Sequence, residues 1–181
     1  MDQQTIVRVM ERSEFAAMKQ LSVAAFGGDE HIGILIDALA ASWCWEDDLV
    51  FVALRDDELV GQVVYTKALV DDPKGLVEVL VLSPVGVRPD LHGQGVGSQM
   101  ITESLALLAN RSENFVFLEG NPVYYRRLGF LPGRDHGFAK PSDRIPDAAF
   151  QFISLDDNAP GVSGRLVYPD AFWRTDSVGL R

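Results

Sequence analysis

Cysteine is nearly missing from this chain, blocks of basic residues are missing altogether, and no apolar run approaches the length of a membrane span. The single cysteine, Cys44, leaves no internal disulfide to form, which suits a reducing compartment. The opening Met-Asp-Gln-Gln-Thr lacks the basic and apolar parts of a secretory signal, so the expected location is cytoplasmic. Histidine is scarce too. His31, His92 and His136 stand far apart with no Cys or His neighbour at ligand spacing, and no metal site is expected. Against 26 Asp and Glu there are only 16 Lys and Arg, a net charge of −10. A chain of that sign repels nucleic acid overall, so neither a nucleic-acid nor a membrane partner is expected.

What is present is ordinary globular content: 181 residues, 47% hydrophobic and 23% charged. That is the size of one domain, 1–181, and no repeat, linker or low-complexity tract divides it. Thr5 to Met10 alternates as a first strand. Ser13 is the expected N-cap of a helix with Phe15, Met18, Leu21 and Ala25 on one face, ended by Gly27-Gly28-Asp29. A second helix begins near Glu30, with Ile32, Leu35, Ile36, Leu39 and Trp43 as its apolar stripe. Leu49 to Leu54 and Leu59 to Thr66 read as a hairpin across Arg55-Asp-Asp-Glu58. Lys67 to Lys74 reads as a loop with a solvated Asp71-Asp72. Leu76 to Leu82 is a central strand interrupted only by Glu78. Phe115 to Leu118, Ala149 to Leu155 and Leu166 to Tyr168 complete the strands. The predicted class is α/β with a mixed sheet of about seven strands flanked by helices, and its strand–helix–strand unit through Val96 to Asn110 is a parallel crossover.

Ordinary packing does not ask for the stretch that follows the central strand. Pro84 cannot donate to a ladder and Gly86 has no side chain to pack, so the segment is expected to be bulged or released from a neighbour. Beyond Pro89, Gly93, Gly95 and Gly97 lead into a helical stripe of Val96, Met100, Ile101, Leu105 and Leu108. A helix start exposes unpaired N–H groups at the positive end of its dipole, and glycines let an anion approach them. A capped turn with permissive glycines is the competing explanation. A P-loop is excluded because no Gly-Lys-Ser/Thr follows. A dinucleotide fingerprint fails because Met100 stands where its third glycine belongs, although Glu119 ends the next strand at about the right distance.

The run His92-Gly-Gln-Gly-Val-Gly97 after Val87-Arg-Pro89 resembles the Arg/Gln-x-x-Gly-x-Gly/Ala motif of the GNAT superfamily of acyl-CoA-dependent N-acetyltransferases, with His92 departing at the first position. Downstream, Asn121-Pro-Val-Tyr-Tyr-Arg-Arg-Leu-Gly-Phe130 is similar to the family's Tyr-x-x-x-Gly-Phe element. The doubled tyrosine, the Leu-Ser-Pro-Val-Gly-Val strand end and the Tyr168-Pro169 to Phe172 tail resemble the YhbS-like branch. The resemblance implies a fold with splayed central strands and transfer of an acetyl group from acetyl-CoA to a primary amine of a small molecule or peptide. A non-catalytic acyl-CoA-binding sensor or interaction module on the same fold is the alternative, and a homodimer is left open. It also implies that Val85, Gly86 and Val87 hold the pantetheine arm and that His92, Gly93, Gln94, Gly95, Val96, Gly97 and Ser98 hold the pyrophosphate. Asn121 and Tyr124 would be further cofactor contacts, and Arg88, Arg126 and Arg127 the nearby cations. In this family Trp43 and Trp45 would line one wall of the acceptor pocket, although at helical spacing such residues also read as core.

Amine attack on a thioester needs a base, donors for the developing oxyanion and an acid for the departing sulfur. The resemblance puts Tyr125 in the acid's place. Glu119 and Glu78 are the candidate bases, each with a plainer reading: a strand-end carboxylate for Glu119 and a surface ion pair for Glu78.

Overall fold

The computed structural model describes residues 4–156, 159 and 161–179; residues 1–3, part of the N-terminal stretch interpreted above, lie outside them. The fold is mixed α/β. It divides into two compact units, each built from two stretches of chain: Met1–Thr66 with Ser83–Leu107, and Lys67–Leu82 with Leu108–Arg181.

In the first unit, β1 (Ile6–Val9) pairs antiparallel with β2 (Val50–Arg55), and β2 with the leading half of β3 (Glu58–Asp72). Asp56 and Asp57 turn the β2–β3 hairpin with φ of 51° and 62°, the left-handed pair that a two-residue connection needs and that Asp tolerates. Val50 lies opposite Val64 and Val52 opposite Gln62, so alternation sends these four to one face of the sheet. There Val50, Val52 and Val64 join Met10, Met18 and Ile36 in an apolar cluster under α1 (Phe15–Ala25) and α2 (Glu30–Ala40). Tyr65 points the other way, and its hydroxyl meets that of Ser104 on α3 (Val96–Leu108) at 2.7 Å. The final residues of β4 (Gly75–Val87) also belong to this unit.

The second unit contains the rest of β3 and β4, then β5 (Phe115–Glu119), α4 (Pro122–Arg126), β6 (Leu131–Pro132), β7 (Phe138–Ala139), β8 (Phe150–Ser154), β9 (Gly164–Val167) and α5 (Asp170–Arg174). Its strands run in the order β3-β4-β5-β8-β6, with β9 against both β3 and β7. β4 and β5 are parallel at Leu80 with Val116 and Val81 with Phe117, the crossover expected through α3. β8 closes antiparallel on β5. The core is aromatic: the Phe117 ring meets Phe138 edge-on at 4.9 Å and stacks on Phe150 at 5.8 Å.

Several local expectations are corrected. Nine strands occur among the described residues rather than about seven, because β6 and β7 are two-residue pairings too short to show a period. Ser13 is not the N-cap of α1. It sits inside a 3-10 turn, Arg12–Glu14, stabilised by the Glu14 carboxylate, which accepts from the Glu11 amide and from both terminal nitrogens of Arg8 at 2.8 Å. α2 ends at Ala40, so Trp43 falls outside the helical stripe and is exposed, while Trp45 meets the Phe15 ring edge-on. Residues 67–72 continue β3 instead of forming a loop. Asp72 is buried there and accepts from the amides of Lys74 and Ser163 at 2.9 Å, which holds its carboxyl below the ordinary range. β4 itself continues as strand through Pro84 to Val87, while its parallel pairing with β5 lies at Leu80 and Val81, ahead of that segment, in keeping with the expected release from a neighbour.

Candidate active site

At the end of β4, burial alternates: Pro84 and Gly86 are buried while Ser83, Val85 and Val87 are half-buried. The Arg88 amide donates to Val60 O at 2.9 Å, and the Val87 carbonyl accepts from His92 Nε2 at 2.8 Å. Main-chain polar groups alternate sides along a strand. Arg88 faces β3, whereas the Val87 carbonyl is turned to the glycine turn. A Cβ on Gly86 would stand 3.0 Å from Ala25 Cβ and 3.2 Å from Gln62 Nε2, so only glycine lets α1 and β3 close over this point.

The turn itself is open. Gly93 and Gly95 hold φ of 76° and 83°, and no atom lies within 4 Å of where either Cβ would be. The i→i−4 ladder of α3 includes a bond from Gln99 N to Gly95 O at 3.0 Å, and the amides of Val96 and Gly97 stand in the first turn of the helix. Val96 is buried as a whole residue and packs its side chain into the core. The Gln94 side chain is used within the turn, its Nε2 donating to Asp90 O at 3.1 Å and its Oε1 accepting from Arg55 Nη1 at 3.4 Å. Arg55 is thus a cation at this turn that sequence reading missed; its place at the end of β2 gave no signal. Arg88 was expected as a cation here, but Asp90 and Glu58 engage it at 2.8 and 3.0 Å and raise its pKa.

The remaining candidates lie in the second unit, where β5 ends and α4 begins. Glu119 is half-buried; its Oε1 accepts from the Tyr168 hydroxyl at 2.9 Å and its Oε2 from the Gly179 amide at 3.0 Å. Burial raises its carboxyl pKa above the ordinary 4.5, outweighing both hydrogen bonds. Asn121 caps α4, its Oδ1 accepting from Val123 N at 2.9 Å. Tyr125 is buried between rings, edge-on to Tyr124 at 4.9 Å and to Phe130 at 5.6 Å. Burial, then the neighbouring Tyr124, pushes its phenol well above 10, and among the described residues its hydroxyl makes no hydrogen bond. Gly120 is the floor under this ring: a Cβ there would run into Tyr125 Cε2 and stand 2.8 Å from Cδ2. Arg126 and Arg127 are exposed on and just after α4. Glu78 is exposed and ion-paired with Lys67 at 3.7 Å, the plainer of its two readings. Tyr168 and Gly120 were missed as functional neighbours, because their significance depends on contacts distant in sequence.

The parallel strand–helix–strand unit thus carries an open glycine turn at its helix start, and a buried tyrosine lies on the short helix that follows in the chain. Residues 6–133 match the acetyltransferase (GNAT) domain family, and the chain belongs to it. It is 30% identical over 136 residues to the uncharacterized N-acetyltransferase YhbS of Escherichia coli, covering 71% of this chain and 78% of that one. It is also 25% identical to the uncharacterized N-acetyltransferase YjhQ of Escherichia coli, over 74% of each chain. Among solved structures, Escherichia coli YhbS in complex with CoA aligns with a TM-score of 0.84 at 24% identity, over 96% of this chain and 94% of that one. A GNAT family acetyltransferase of Brucella melitensis in complex with acetyl-CoA aligns at 0.73 and 26% identity, over 94% and 99%. Among the described residues no helix is long and apolar enough to cross a membrane.

Proposed function

We propose that the chain acts as one acetyltransferase domain that moves an acetyl group from acetyl-CoA to a primary amine by direct attack on the thioester. The observation that carries this is the open glycine turn, with left-handed Gly93 and Gly95 ahead of the α3 amides, in a member of the GNAT family. The residues suit the cosubstrate. Its pyrophosphate is anionic, and amides at a helix start with Arg55 beside them offer donors and positive charge. The Brucella relative's crystallisation with acetyl-CoA supports the same reading.

In this proposal the amides from Gly93 to Ser98 hold the pyrophosphate, while the main chain of Val85 and Val87 holds the pantetheine arm as an added strand. Asn121 and Tyr124 make further cofactor contacts. Acetyl-CoA supplies the activated acetyl group. Tyr125 keeps its proton throughout the neutral range, gives it to the sulfur as the carbon–sulfur bond breaks, and takes one back from the nitrogen of the collapsing intermediate. Glu119, whose raised pKa makes it a stronger base than an exposed glutamate, accepts a proton from the ammonium. Glu78 keeps its ion pair with Lys67.

The test is release of free CoA thiol from acetyl-CoA on incubation with spermidine, L-lysine, kanamycin and triglycine. Thiol release with at least one amine supports transfer. Calorimetric binding of acetyl-CoA without release by any amine would favour the non-catalytic binding module, and absence of binding would remove both.

A further inference from the structure

The Tyr168 hydroxyl is a buried group to which the proposed transfer gives no task. Tyr168 directly follows β9, and its ring lies against Phe172 of α5, with centroids 4.9 Å apart. Across 49 residues of chain, the hydroxyl donates to Glu119 Oε1 at 2.9 Å. Burial, then the neighbouring carboxylate, holds the phenol well above its ordinary 10, so in the neutral range it is a donor. Glu119 is held from a second direction as well, its Oε2 accepting from the Gly179 amide at 3.0 Å. Gly179 packs against the loop before β8, where a Cβ on it would stand 3.1 Å from Arg144 Cβ, and Val178 before it is buried. Among the described residues, the titratable and charged groups that act on this carboxylate are Tyr168 and Arg144, and Arg144 is itself paired with Asp176 at 2.8 Å. Two donors from separate segments thus fix a side chain that would otherwise sample several rotamers. A carboxylate has about four lone-pair sites, and Glu119 is only half-buried, so sites on its oxygens are left for an approaching ammonium.

We infer that Tyr168 is a positioning residue for the transfer: its hydroxyl, with the Gly179 amide on the other oxygen, holds the Glu119 carboxylate in the orientation that takes a proton from the acceptor's ammonium. This role rests on the proposed transferase reading with Glu119 as the base. It gives a share in the site to a part of the chain beyond the matched residues 6–133. The proton passes from the ammonium nitrogen to a Glu119 oxygen and then to solvent, and Tyr168 keeps its own. The same hydrogen bond favours the ionised carboxylate against the burial that opposes it. Its loss raises the Glu119 pKa further, so the fall of kcat on the acid side begins at higher pH.

Tyr168→Phe, Glu119→Gln and the double variant are compared with wild type over a pH series, using whichever amine of the panel releases thiol. Phe removes one oxygen and keeps the ring against Phe172, so the fold is retained. In Tyr168→Phe the acid limb of kcat moves up by about one pH unit, and kcat on the plateau falls by about tenfold. The KM for acetyl-CoA stays within about twofold, because the thioester arm lies on the main chain of β4. The double variant stays within about twofold of Glu119→Gln, because the hydroxyl acts only through the carboxylate. An enzyme that depends on Glu119 but keeps its acid limb in place in Tyr168→Phe would show a hydrogen bond that serves stability alone, and would overturn this inference by itself. A double variant about tenfold slower than Glu119→Gln would place the effect of the hydroxyl elsewhere, with the same consequence. Wild-type kcat in Glu119→Gln overturns the base role and this inference with it, and absence of thiol release from wild type with every amine overturns the transferase reading as well.

Discussion

Gly120→Ala tests whether the position of Tyr125 matters to turnover. The added methyl runs into Cε2 of the Tyr125 ring and stands 2.8 Å from Cδ2 and 3.3 Å from Cζ, where ordinary contact begins near 3.4 Å. Gly120 cannot retreat easily, since its amide donates to Ala149 O at 3.0 Å and its carbonyl accepts from Gln151 Nε2 at 3.3 Å. The ring must move instead, and Phe130 and Tyr124 flank it. Overpacking of this kind costs about 1–3 kcal/mol. In a domain this size each kcal/mol lowers Tm by roughly 2–4 °C. Misplacing a reacting group by about 1 Å costs on the order of 100-fold in rate. The assay is kcat and the KM for acetyl-CoA in Gly120→Ala, Tyr125→Phe and the double variant. If the methyl acts by displacing the hydroxyl, kcat falls in both single variants and the double variant is little worse than Tyr125→Phe. Wild-type kcat and Tm in Gly120→Ala would refute the steric argument, and full activity in Tyr125→Phe would refute the role of the phenol.

Gly95→Ala forces an alanine to φ of 83°, which costs about 1–2 kcal/mol, and places a methyl where the phosphate must approach; calorimetry should show acetyl-CoA affinity reduced at least about tenfold. Gly86→Ala would push on Ala25 Cβ and Gln62 Nε2, and chemical denaturation should show a loss of about 1–3 kcal/mol. Because burial raises the Glu119 carboxyl above its ordinary 4.5, the folded chain keeps that proton to higher pH than the unfolded chain does. The stability this group contributes is therefore fullest below 4.5 and declines as pH rises through the folded value. Glu119→Gln should remove that part of the decline in a Tm against pH series, and an unchanged slope would show that Glu119 is not perturbed. The same substitution, if Glu119 is the base, lowers kcat by about 100-fold at neutral pH, and a wild-type rate would return the proton transfer to solvent.

The linear sequence determined what depends on short-range pattern. The stripe Val96, Met100, Ile101, Leu105 and Leu108 repeats at helical spacing, and all five are buried. Gly93 and Gly95 allowed an open turn ahead of α3, because tolerance of positive φ belongs to glycine itself. Tertiary structure decided whatever rests on partners brought from elsewhere in the chain. Asp71-Asp72 looks solvated from its neighbours alone, yet the Ser163 amide donates to the Asp72 carboxylate, which is buried at the end of β3. Arg88 looks available to an anion until Glu58 across the hairpin engages it, while Arg55, unremarked in the sequence, arrives beside Gln94. Glu119 meets Tyr168 and Gly179 only once β9 and the C-terminal segment are placed, and Gln62 reads as one more polar strand residue until α1 closes over it. Helical periodicity and glycine chemistry are local and survive in the unfolded chain; burial, and with it every shifted pKa and orphaned amide, exists only after distant segments exclude water together.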